Sequence, residues 1–375
     1  MLPVWAQRRP ELAMPRPLRI LFLSKRFPQG RDLMTRPYGR FYHLAQGLAA
    51  AGHEVHIATL SYRGLPSTEC AFDGIRWRSD DLWPTGPLNY LQGLRRTAAQ
   101  LQPDWVIGVS DLWFGILATR LAVRAGARSA IDAYDNFEAY MPWARPVHQL
   151  WRRALGKADL VTAAGPTLAA RLIETGASGC EVLPMTADPA FHPRDRGDAR
   201  RSLGLPVDRQ LIGHLGAFNR SRGHAVLLRA VQQLQTRNPQ VSLVLSGRDS
   251  PAFHAPPAIY GLGYLRDEHM PLLVNALDVA CISLADTAFG RYSYPAKLCE
   301  AMACEVPVVA TDTPPTRWML GEAARFLSPV GDADALSARL EANLGLDRVS
   351  YPGRESWTAI AARYAALLVA RGPKN

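Results

Sequence analysis

Apolar residues in this chain come as short unbroken runs that alternate with stretches of helical period, and the alternation occurs twice over. Residues 18–24 (LRILFLS) form a run bounded by charge and proline, the pattern of a strand buried on both faces. A long loop leads to a predicted helix over 37–51, which Gly52 stops in the usual helix-end role. Strands are expected at 55–60, 105–109, 129–133 and 160–164, and helices at 89–101, 112–125 and 148–156. This rhythm is that of a parallel sheet with helices on both faces.

Around 188–208 the composition shifts to Pro, Arg and Asp, which reads as a linker and the entry to a second domain. The alternation then restarts. Strands are predicted at 211–216, 241–246, 279–284 and 306–311. Helices are predicted at 223–236, 267–277 and 334–344, the first carrying Leu227, Val231 and Leu234 on one face. A last helix, 356–370, has an apolar face with Trp357 and Tyr364. The class is therefore α/β, with two doubly wound, Rossmann-like domains facing a cleft, and ligands in such sheets bind beyond the strand carboxyl ends.

Length agrees with two domains: 375 residues, 48% apolar and 20% charged, fit an ordinary globular protein. No apolar run is long enough to span a bilayer. Residues 1–15 lack a sustained apolar core and a small-residue cleavage site, so they read as a floppy extension, with Met14 as an alternative start. Five cysteines without CxxC spacing favour a reducing cytoplasm over a disulfide framework. The net charge of +10 admits nucleic acid, an anionic membrane surface or anionic small molecules. Nucleic acid is set aside, because no basic stripe interleaved with stacking aromatics is present. The basic residues, among them Lys25, Arg26, Arg31, Arg36 and Arg40, suit lipid headgroups or a phosphate-bearing substrate.

The segment 289–312 (FGRYSYPAKLCEAMACEVPVVATD) carries the most chemistry. It predicts a loop, a short helix opened by Pro295, and a buried strand. Free amides of the first helical turn can hold an anion. Lys297 lies in that turn, and Glu300, three residues on, projects from the same face. Amides and Lys297 suit phosphates, and Glu300 suits ribose hydroxyls. The plain alternative is a buried helix with a solvated Lys and Glu.

Several local patterns in fixed order resemble one family: GLAAAGHEVHIATL, LGKADLVTAAGPTLAARL, CEVLPMTADPAFHP, HLGAFNRSRGHAVLLRAVQQL, VSLVLSG and IYGLGYLRDEHMPLLVNALDVACISL, closing on a segment similar to an E-x(7)-E region. Together they resemble the glycosyltransferases of the GT-B fold, most like glycosyltransferase family 4. The resemblance implies an acceptor domain over 16–192, completed by the C-terminal helix 355–375, and a nucleotide-sugar donor domain over 193–354. It implies transfer of a sugar from a nucleotide-sugar to an acceptor hydroxyl on a glycan, a lipid-linked sugar or a metabolite, with retention and with neither a metal nor another cofactor. Glu300 then holds the ribose, while Lys297 and Arg222 neutralise the diphosphate. Backbone amides from Gly216 to Asn219 and of Ser293 and Tyr294 are further phosphate contacts, and Arg220 and Leu298 belong to the same donor-binding set. Gly247, Arg248 and Tyr264 line the base pocket, with Tyr264 stacking on the base. The sequence departs from the family at two places. Tyr292 stands where the first glutamate, which meets the donor sugar, is expected, and Ala217 replaces an arginine of the phosphate loop for which Arg220 could substitute.

In the first half, Gly39 is the one glycine before the first helix, either opening a path to backbone amides or simply packing. Asp111 and Asp135 follow predicted strands and could accept the acceptor proton, or cap and solvate. His43 and His53 read as structural. The segment PWARPVHQLWRRALGK either lies on the inner face of an anionic membrane or packs Val147, Leu150, Trp151 and Leu155 on its own domain. Two other functions stay open: a sugar-nucleotide epimerase of the same fold, and a degenerate copy that binds a nucleotide without turnover.

Overall fold

A computed structural model of the protein describes residues 16–216, 218, 223–247, 258–321, 323–351 and 353–374. Two sheets organise it. The first contains β1 (Arg19–Lys25), β2 (Glu54–Ser61), β3 (Thr68–Phe72), β4 (Ile75–Asp81), β5 (Trp105–Gly108), β6 (Arg128–Ala133), β7 (Leu160–Ala163) and β8 (Glu181–Val182) in the order 3-4-2-1-5-6-7-8. Every pair is parallel except β3 with β4. The second contains β9 (Gln210–Leu215), β10 (Val241–Ser246), β11 (Ile259–Gly261), β12 (Val279–Ile282), β13 (Val308–Thr311) and β14 (Leu327–Ser328) in the order 11-10-9-12-13-14, all parallel.

The first domain's helices are α1 (Gly39–Ala50), α2 (Leu82–Thr85), α3 (Pro87–Leu101), α4 (Leu112–Ala125), α5 (Phe137–Tyr140), α6 (Arg145–Lys157) and α7 (Pro166–Thr175). Those of the second are α8 (Arg196–Leu203), α9 (His224–Arg237), α10 (His269–Ala276), α11 (Ala296–Ala303), α12 (Pro314–Met319) and α13 (Ala333–Leu344). The last helix, α14 (Trp357–Arg371), returns to the first domain and packs on α1. Gly47 makes that approach possible, because a Cβ there would lie 2.2 Å from the Ala361 methyl. Arg363 on α14 also donates to the Val182 carbonyl at 2.8 Å.

Strand order reverses between β1 and β5 in one sheet and between β9 and β12 in the other. These switch points leave a crevice beyond the strand carboxyl ends. At the centre, Phe22 of β1 is in register with Ile57 and Ile107, and Ile20 to Leu23 are almost fully buried. Each such side chain contributes about 1.5–3 kcal/mol of burial. An ion pair is locked into the same domain: the Arg40 guanidinium grips Asp132 at 2.7 and 2.9 Å and donates to the Leu183 and Pro184 carbonyls. Thr162 adds a hydroxyl donor to Asp132.

Several elements are absent from the sequence expectation, and two of them bear on the architecture. The antiparallel β3–β4 hairpin is absent from it, because β4 carries Arg76, Arg78, Asp80 and Asp81, a charge load that masks a strand. The polar stretch after residue 188 contains α8, capped by Asp195, stopped by Gly204 at φ 64°, and fastened to the second domain by the Arg200–Asp278 pair at 2.6 Å.

The domains meet through a phenol. Tyr294, in the loop before α11, buries its ring against Gly165, and its oxygen accepts the Thr167 N–H at 3.0 Å. That oxygen does the work of an N-cap for α7, whose own N-cap residue is glycine. A Cβ on Gly165 would lie 2.0 Å from the Tyr294 ring. Gly165→Ala is therefore expected to lower stability by about 1–3 kcal/mol through overpacking. Tyr294→Phe should cost about 1 kcal/mol, the worth of a lost cap. Thermal unfolding of both variants checks this; an unchanged midpoint for Gly165→Ala contradicts it.

Candidate functional site

Loops from both sets of strand ends form the cleft. From the first domain come the β1–α1 loop and the turn after β6; from the second come the segments after β11 and β12. Arg36 binds Asp267 at 2.7 and 3.1 Å, and Arg31 reaches the same carboxylate at 2.8 Å. Asn136 donates to the Ala288 carbonyl at 3.4 Å, and the Tyr140 ring faces Phe289 at 6.5 Å.

On the second-domain side, α11 presents its N-terminus with no side-chain cap. Pro295 is the N-cap rather than the first helical residue. Lys297 Nζ binds both Glu300 oxygens, at 3.0 and 2.8 Å, so the two share a face as their spacing requires. Burial pushes the Glu300 carboxyl above its usual value; the Lys297 ammonium opposes the shift, the nearby Asp188 carboxylate adds to it, and Arg31 opposes it. Asp188 is held by His43 Nε2 at 3.1 Å, and the His43 ring stacks on Trp357 of α14. His53 likewise serves structure, accepting the Leu18 N–H.

Three glycines sit at neighbouring strand ends. Gly216, at φ 105°, has open space where a Cβ would stand, and Gly263 likewise at φ 61°. Gly247, at φ 131°, is needed for packing, since a Cβ there would lie 2.1 Å from the Gly216 carbonyl oxygen. Tyr264 is exposed at the rim, with the Arg36 guanidinium 6.0 Å from its ring centre. Tyr292 is half-buried against the aromatic cluster of the first domain. Asn219, Arg220, Arg222 and Arg248 lie outside the described residues.

Three site expectations need correction. The Leu298 side chain is wholly in the second domain's core, and its amide donates to the Pro295 carbonyl, so it offers a ligand nothing. The Ser293 amide is turned to the Gly290 carbonyl; the Tyr294 side chain holds the domain contact, while the phosphate expectation for Tyr294 concerns its backbone amide. Asp111 is buried, caps α4 through the Trp113 N–H at 3.0 Å, and pairs with Lys25 at 2.8 Å. Both oxygens are thus engaged within the protein, by the α4 amide and the Lys25 ammonium, rather than turned to the cleft. Asp135 is half-buried in the turn after β6. Gly39 begins α1 at φ 73°, with nothing within 4 Å of a Cβ position and no side-chain cap from Tyr38, so backbone amides there are approachable.

Arg31 is the residue the motif reading passed over. Its guanidinium lies 4.0 Å from the Tyr38 ring centre and reaches across to Asp267. The available signal was the density of arginines in the loop after β1. The apolar face of α6 is spent on its own domain: Trp151, Ala154 and Leu155 are buried, and Gly115 admits the Trp151 ring. Among the described residues, no helix is long and apolar enough to cross a membrane, and no group of three His, Cys, Asp or Glu side chains could hold a metal ion.

Residues 39–186 match the family model described as Glycosyl transferase 4-like domain, and 209–345 the one described as Glycosyl transferases group 1. A phosphatidyl-myo-inositol mannosyltransferase of Mycolicibacterium smegmatis is 32% identical over 184 residues, 44% of this chain and 46% of that one. A D-inositol 3-phosphate glycosyltransferase of Corynebacterium jeikeium is 30% identical over 131 residues, 31% of this chain and 30% of that one. These matches thus span less than half the length of the curated relatives. Sucrose-phosphate synthase of Thermosynechococcus elongatus superposes with a TM-score of 0.69 at 18% identity, covering 93% of this chain and 97% of that one. HepE of Anabaena, in complex with UDP and glucose, gives 0.70 at 16%, covering 94% and 99%.

The raised Glu300 carboxyl has a signed consequence. The folded state holds that proton more tightly than the unfolded chain, whose value is near 4.5, so its contribution to stability is full below that pH and fades as pH rises through the folded value. Glu300→Gln, which cannot ionise, should gain melting temperature relative to the native protein as pH rises above the unfolded value of 4.5. A difference that stays constant as pH rises contradicts the assignment.

Proposed function

We propose that the chain is a GT4-like glycosyltransferase of the GT-B fold that moves a sugar from a nucleotide-sugar to an acceptor hydroxyl, with retention and without a bound metal; the two family matches and the fold support this reading. One observation carries the reading: an uncapped helix N-terminus, α11, opens on the cleft with an ammonium and a nearly buried carboxylate one turn apart on the same face. Amides and Lys297 meet the charge of a diphosphate, and Glu300 accepts from ribose hydroxyls.

The chemistry follows from where charge builds. The bond between the anomeric carbon and the donor's phosphate oxygen breaks, and its electrons leave with the nucleoside diphosphate. The acceptor oxygen bonds to that carbon on the same face, and its proton passes to the departing phosphate oxygen. No protein base is required, in keeping with Asp111 being occupied by Lys25 and α4. Cations and amides fixed at the departing phosphate favour the transition state over the bound donor. Lys297 must then leave Glu300 at least partly when the donor arrives, freeing both groups for the ligand. Arg31, held at the cleft by Tyr38 and Asp267, adds positive potential on the first-domain side. Gly39 opens the amides of α1 to the same space. The nucleotide-sugar and a hydroxylated acceptor are thus the partners. The base is not specified by these contacts.

A ligand that binds the native state alone raises the melting point, so a thermal-shift screen across UDP, GDP, ADP, CMP and dTDP reads out the donor class. One nucleotide should stand clear of the rest, and Lys297→Ala and Glu300→Ala should each weaken its binding about tenfold or more. Full affinity retained in both variants removes α11 from the site. Release of free sugar from the matching nucleotide-sugar separates an enzyme from a binding protein.

A further inference from the structure

We propose that the acceptor is a neutral saccharide chain, and that its rings stack on an aromatic ledge formed by Tyr140, Trp143 and Trp113 at the cleft rim; this rests on the transferase reading above. The three residues belong to segments that follow the carboxyl ends of β5 and β6, next to the first sheet's switch point. Tyr140 occupies the inner end. It is 51% exposed, with Lys25 Nζ 5.4 Å from its ring centre and Phe289 of the second domain facing it. Trp143 is 71% exposed three residues further on, and its ring lies 6.5 Å from that of Trp113 at a tilt of 36°. Trp113 is tied to the switch point by the bond from its amide to Asp111.

Large aromatic surface left in water beside a ligand cleft marks a binding surface. Its chemistry selects the ligand. A pyranose has an apolar face of C–H groups that fits a π surface, and an equatorial belt of hydroxyls that needs polar partners at the edge. The phenol of Tyr140 offers such a partner. Two ion pairs stand at the foot of the ledge: Lys25 pairs with Asp111, and Arg152 takes Glu138 in two bonds, at 2.8 and 3.1 Å, while Arg145 is exposed further along. Those pairs suit an uncharged ligand. A bilayer is the poorer fit, because the apolar face of α6 is already buried and the inner end of the ledge faces the second domain rather than open solvent.

The test uses the full chain and its intrinsic tryptophan fluorescence, titrated with neutral gluco- and manno-oligosaccharides of increasing length, α- and β-linked. At least one series should shift the emission, with affinity rising from the monosaccharide to longer members. Trp143→Ala should weaken that binding about tenfold, the upper range for one stacking contact, and Trp143→Phe should restore part of it. The nucleotide's thermal shift and donor hydrolysis should stay as in the native protein, since the ledge does not touch α11. Three results overturn the proposal: no series binds, Trp143→Ala binds as well as the native chain, or vesicles containing anionic phosphatidylglycerol shift the emission while the sugars do not. Loss of nucleotide binding or of hydrolysis in the native protein overturns the transferase reading instead, so the two failures are told apart.

Discussion

A phenol oxygen of one domain satisfies backbone amide of a helix in the other, and the geometry of the cleft depends on that contact. Tyr294 precedes α11 by one residue's separation from its N-cap, and it is seated at the start of α7 over a glycine that leaves room for its ring. The placement of α11 is thereby referred to the first domain's sheet, not only to its own. The same loop carries Tyr292 against the first-domain cluster and Phe289 opposite Tyr140. A segment that a motif reading gives wholly to ligand contact is, in large part, the joint between two bodies. A helix pole can be aimed at a ligand only if its base is fixed, and the loop supplies that base.

Around this joint the charges form a connected series rather than isolated pairs. Trp357 of the returning helix stacks on His43, His43 holds Asp188, and Asp188 bears on Glu300, which Lys297 binds in turn. Arg31 lies within electrostatic reach of Asp188 and Glu300 while grasping Asp267. The Arg40–Asp132 pair, sealed in the first domain, secures the start of α1 to the carbonyls that open the crossing segment. Breaking such a buried pair by removing one partner costs about 3–5 kcal/mol. Its donors are all directed to oxygen, which is the condition for keeping charge in a core.

Much of the architecture was legible because both sheets are parallel and buried, so their strands read as unbroken apolar runs. The helix 112–125 and the strand 241–246 match the observed α4 and β10 to the residue. The β3–β4 hairpin was not, since the edge strand β3 is exposed and its neighbour β4 carries four charges, so neither reads as an apolar run. In the site, the shared face of Lys297 and Glu300 was legible from i,i+3 spacing; that the two bind each other was not. The tasks of Tyr294, Leu298 and Asp111 were not. Tyr294 finds its partner 127 residues away, and Asp111 is claimed by Lys25 at the end of another strand. Local spacing reports which side chains share a helix face; it says nothing about which distant backbone will take them up.

The return of α14 to the first domain means that the chain passes between the lobes twice, once between β8 and α8 and again between α13 and α14. The two are therefore joined by a pair of covalent tethers. They fasten the lobes at two separate points of the chain, so any movement of one lobe against the other has to be absorbed in both connections at once.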